Sequence, residues 1–88
     1  MKIKIVYKDA SDHARPVRGF IHDYERQTGR TLEVIEPESI EGESLCRLYD
    51  VVEYPTVLAT TDDGQLLQMW RGLPMPLINE VSYYDKSI

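Results

Sequence analysis

The chain has 88 residues, 42% apolar and 28% charged, the mix of a single folded domain spanning 1–88 with no linker, internal repeat or low-complexity stretch. Fifteen acidic against ten basic residues leave a net charge of −5, and the basic residues are scattered, so a nucleic-acid partner is not expected. No run of about 18 apolar residues exists to cross a bilayer, no signal-peptide pattern opens the chain, and a lone Cys46 supports neither an internal disulfide nor a cysteine-rich metal site. A reducing, cytoplasmic location without membrane association is the expectation.

Ile3, Ile5 and Tyr7 alternate with Lys2, Lys4, Val6 and Lys8, which predicts a strand over Lys2–Tyr7. Asp9, Ala10, Ser11 and Asp12 break it with polar residues suited to capping a helix. Val17, Phe20, Ile21 and Tyr24 recur at helical spacing from roughly His13 to Gln27, with Pro16 near the start and Gly29 as a stop. Thr31–Ile35 reads as a second strand, closed by Pro37. Strand, helix and strand within three dozen residues predict a right-handed parallel βαβ unit.

A second helix is predicted over Gly42–Tyr49 with Leu45, Cys46, Leu48 and Tyr49 inward. Thr56–Thr60 is a third strand. Asp62-Asp63-Gly64 signals a hairpin leading to a fourth, Gln65–Arg71, which Gly72 ends. That strand is apolar on both faces, which predicts Trp70 packed under a terminal helix, with an exposed patch as the alternative. After Leu73-Pro74, Pro76 opens a short helix with Leu77, Ile78 and Val81 inward, and Asp85–Ile88 reads as a frayed tail.

The resulting order, β-α-β-α-β-β(-α), is an α/β arrangement with a mixed four-stranded sheet, and it resembles the thioredoxin fold. The resemblance is carried by Tyr49-Asp50-Val51-Val52-Glu53-Tyr54-Pro55-Thr56, similar to the family's Tyr-x-Val-x-x-x-Pro-Thr run, and by the Asp62-Asp63-Gly64 hairpin and closing Gly72. It implies a cis Tyr54–Pro55 bond. It also places the redox Cys-x-x-Cys pair at Ser11-Asp12-His13-Ala14, where this chain has no sulfur, so dithiol–disulfide exchange is not expected. In such proteins three loops meet at one end. Here they are Ser11, Asp12, His13 and Ala14, then Tyr54 and Pro55, then Gly72 and Leu73, and they imply a groove for an extended peptide or protein segment.

The residues alone favour plainer roles. Ser11 or Asp12 caps the first helix, Cys46 is a core residue, and His13 is solvated or meets Asp9 or Asp12. No metal, cofactor or catalytic residue is expected. A single-thiol, glutathione-linked protein using Cys46 and a structural subunit or homodimer using an exposed strand face or edge are the alternatives to a peptide- or protein-binding module.

Overall fold

The computed structural model describes residues 2–85. Its elements, in chain order, are β1 (Lys2–Val6), α1 (Ala14–Thr28), β2 (Glu33–Ile35), α2 (Ile40–Tyr49), β3 (Thr56–Thr60), β4 (Leu66–Arg71) and α3 (Ile78–Tyr84). The sheet order is β2-β1-β3-β4. β1 runs parallel to β2 and antiparallel to β3, with Lys4 opposite both Glu33 and Leu58, and β3 pairs antiparallel with β4.

Strand alternation divides the apolar residues between two layers. Ile3, Ile5, Tyr7, Val57 and Ala59 meet Val17, Phe20 and Tyr24 of α1 and Val81 of α3. On the opposite face Val6, Ile35 and Leu58 meet Leu45 of α2 and Val51. All five β3 residues are buried, which is why its sequence is a continuous apolar and β-branched run. Trp70 packs edge-on against Tyr84, ring centroids 5.6 Å apart, on the α1–α3 side, while Met69 joins the α2 side.

The turns follow local chemistry. Gly29 ends α1 in the left-handed region at φ 71°, its N–H donating to Glu25 O at 2.9 Å. Gly64 turns the hairpin at φ 95°, and the Thr61 N–H donates to Gln65 O at 2.8 Å. The Tyr49 hydroxyl donates to Gly64 O, tying the end of α2 to that turn. Tyr54–Pro55 and Leu73–Pro74 are cis peptide bonds.

Several expectations about the fold need correction, and the second strand is shorter than expected, Glu33–Ile35 rather than Thr31–Ile35. α2 begins at Ile40 rather than Gly42, because Ser39 Oγ accepts the Gly42 N–H at 2.9 Å and caps the helix two residues earlier. Leu48 points outward, 74% exposed, because α2 turns Leu45 to the sheet with Cys46 and Tyr49 at the margin. Neither Ser11 nor Asp12 caps α1: His13 holds the N-cap position and makes no side-chain cap bond. Leu77 is the exposed N-cap residue of α3, its main-chain N–H taken by Glu80 Oε1 at 3.3 Å. Asp85 is not frayed but buried, accepting from the Tyr24 hydroxyl at 2.7 Å with Arg30 3.8 Å away. Residues 86–88 of the expected tail lie outside the described residues.

Candidate functional site

The end of the sheet where β1 and β2 finish, α1 and α2 start and β4 returns collects the loops singled out above. Lys8, the second residue after β1, holds them together. Its main-chain N–H donates to His13 Nε2 at 3.1 Å and its carbonyl accepts from Ser11 Oγ at 2.5 Å, so the loop between β1 and α1 folds back on one residue. Its ammonium lies 5.6 Å from the centroid of the Tyr54 ring and 3.1 Å from Glu38 Oε1. The Glu38 carboxylate, bonded to it, pushes the Lys8 ammonium above its ordinary range.

The third loop joins through the main chain, where the Gly72 N–H donates to Pro55 O at 2.7 Å. Gly72 sits at φ 71°, a left-handed conformation that strains any residue with a side chain, and a Cβ there would crowd Glu53 Oε2 at 3.0 Å. Thr56 Oγ1 donates to Glu53 O at 2.6 Å and fixes the approach to the proline.

The predicted residues therefore separate into two groups. Ser11, His13, Tyr54, Pro55 and Gly72 are linked, directly or through Lys8. Ala14 is buried in the α1 core, while Asp12 and Leu73 are exposed and, among the described residues, make no hydrogen bond to the others. His13 does not meet Asp9 or Asp12. It accepts from Lys8 and stands edge-on to Tyr7, ring centroids 6.2 Å apart. Asp9 instead pairs with Arg18 at 2.5 Å, and the guanidinium bonded to it holds its carboxyl below the usual carboxylate range.

Lys8, Glu38 and Glu53 were not singled out from the sequence. The available signal was Lys8 itself, a charged residue just past the buried end of β1, where Val6 and Tyr7 pack in the core.

Cys46 is half-buried rather than part of the closed core, and packs with Tyr54 against the α2-side cluster. Burial, and next the Cys46 thiol beside it, push the Tyr54 phenol up. Beside the site a shallow cavity of about 460 Å³ is lined by Lys8, Ala10, Glu36, Glu38 and Ser39. Among the described residues no group of three or more His, Cys, Asp or Glu is placed to hold a metal, and no helix is long and apolar enough to cross a membrane.

No family model and no curated protein matches the sequence. Among solved structures, thioredoxin 1 from the thermophilic eubacterium Thermosipho africanus TCF52B is similar, with a TM-score of 0.66 and 21% identity over 97% of this chain and 90% of that one. The chain thus has the thioredoxin-like fold, a mixed four-stranded sheet flanked by helices. At that identity the likeness speaks for the fold alone.

Proposed function

We propose that this chain is a non-redox binding module that takes an extended peptide or protein segment across Ser11–Ala14, Tyr54–Pro55 and Gly72–Leu73. One observation carries the reading: among the described residues, no hydrogen bond engages the main-chain N–H or C=O of Tyr54. An extended segment can satisfy both groups by strand addition. The half-buried Tyr54 ring, with Lys8 against it, offers contact area beside them.

The sequence contains a single cysteine, so dithiol exchange within the chain has no second thiol. A glutathione-linked role for Cys46 requires an accessible, activated thiolate. The measurement that tests this role is iodoacetamide labelling of the native protein at neutral pH, where slow labelling would count against it.

The test is fluorescence anisotropy with a labelled peptide selected on the native chain from a random display library. Tyr54→Ala is expected to weaken binding roughly thirtyfold or more, the loss typical of a central aromatic anchor. Cys46→Ser is expected to leave it unchanged. Equal affinity of Tyr54→Ala and wild type removes the groove, and loss of binding in Cys46→Ser favours the thiol reading.

A further inference from the structure

β4 is an outer strand of the sheet, and an outer strand turns alternate main-chain donors and acceptors toward solvent, where another strand can pair with them. Here the donor near its middle is already engaged. Met69, opposite Leu58 of β3, gives its main-chain N–H to Oε1 of the preceding Gln68 at 2.9 Å. A ladder residue's N–H serves one side only, so this one faces away from β3. Next along, Arg71 Nε stands 3.0 Å from Met69 Sδ. The register shift opposite Ala59 and Thr60 leaves Leu67 without a counterpart in β3. Leu66 and Leu67 are 40% and 39% exposed.

We propose that β4 is a latent self-association edge whose fitting partner is the β4 of a second copy of this chain, and that the Gln68 side chain holds it closed. The sequence of the strand supports that occupant. From Gln65 to Trp70 it carries no charge, although the whole chain carries −5. Two antiparallel copies related by a two-fold axis through Gln68 set Leu67 opposite Met69, Leu66 opposite Trp70 and Arg71 opposite the neutral Gln65. Apolar side chains then face one another and no like charges meet. The missing piece is a free donor at the centre of that seam, and Gln68 withholds it by folding onto its own neighbour.

The experiment compares wild type, Gln68→Val and Gln68→Glu by sedimentation equilibrium across a concentration series, with amide exchange of Met69 followed by NMR in dilute samples. Position 68 is exposed, so neither substitution disturbs the core. Wild type is expected to be monomeric. Gln68→Val frees the Met69 N–H, once on each side of the seam, so self-association tightens roughly tenfold or more and the Met69 amide exchanges faster when dilute. Gln68→Glu keeps an acceptor in place and stays monomeric with a protected Met69 amide. A Gln68→Val chain as monomeric as wild type at every concentration overturns the proposal. So does a Met69 amide that exchanges equally in all three, or a wild type already dimeric through β4.

Discussion

Replacing Tyr24 by Phe isolates one buried contact between α1 and the residue that follows α3. The Tyr24 ring is fully buried in the layer between sheet, α1 and α3, and Phe preserves that packing. Only the hydroxyl is lost, and with it the 2.7 Å bond to the buried Asp85 carboxylate, leaving Arg30 at 3.8 Å as that carboxylate's remaining side-chain partner among the described residues. A hydrogen bond to a charged group contributes about 1.5–3 kcal/mol. In a domain of this size the loss of about 2 kcal/mol lowers Tm by roughly 8–16 °C. Urea denaturation and thermal scans followed by circular dichroism measure both.

The same bond has a pH signature. Burial first, and then the Asp85 carboxylate, raise the Tyr24 pKa. A folded-state pKa raised above the unfolded one gives stability that is complete below the unfolded value, about 10, and is lost as pH rises beyond it. Wild type therefore loses this contribution above pH ~10 while Tyr24→Phe has none to lose, and the gap between them narrows on the alkaline side. Equal denaturation midpoints at neutral pH refute the reasoning. A gap that stays constant through the alkaline range refutes its electrostatic half.

Three further outcomes are expected. At Gly42 a Cβ would lie 1.9 Å from the Glu36 carbonyl oxygen, a backbone atom, so Gly42→Ala forces α2 off its seat and costs about 3 kcal/mol or more, read as a lower urea midpoint. Thr60 Oγ1 is buried without a hydrogen-bond partner among the described residues, and Thr60→Val, of the same shape, raises stability by about 1 kcal/mol in the same assay. Asp9 has a folded-state pKa lowered first by its bond to Arg18, so its contribution is present above the ordinary carboxylate pKa of about 4 and disappears as pH falls below it. Asp9→Asn should flatten that acid limb, and added salt should shrink the difference, since the pair is exposed.

What could be read in the residues depended on how local the determinants were. β3 is found at the residues expected, Thr56–Thr60, because a buried β-branched run bounded by Pro55 and the Asp62-Asp63-Gly64 turn leaves no competing register. The roles of Tyr54–Pro55 and Gly72 are legible through the resemblance to the thioredoxin fold, whose proline and closing glycine they match, rather than from the residues alone. α2 was harder to delimit. Ile40 and Leu48, both apolar, face outward, and Gly42 is set by a close approach to Glu36 that no periodicity reveals. Asp85 reads as tail in the sequence because its partner, Tyr24, lies 61 positions away. Lys8 went unnoticed for the same reason: its partners Ser11, His13, Glu38 and Tyr54 come from three separate loops, and only the folded sheet brings them to one residue.

The most direct test is chemical-shift mapping of the 15N-labelled chain with a peptide selected from the display library. Amide shifts are expected to concentrate at Lys8–Ala14, Tyr54–Thr56 and Gly72–Leu73, the largest at Tyr54, with Cys46→Ser giving the same map. Shifts that leave Tyr54 untouched and gather on α2 or along β4 contradict the proposed groove.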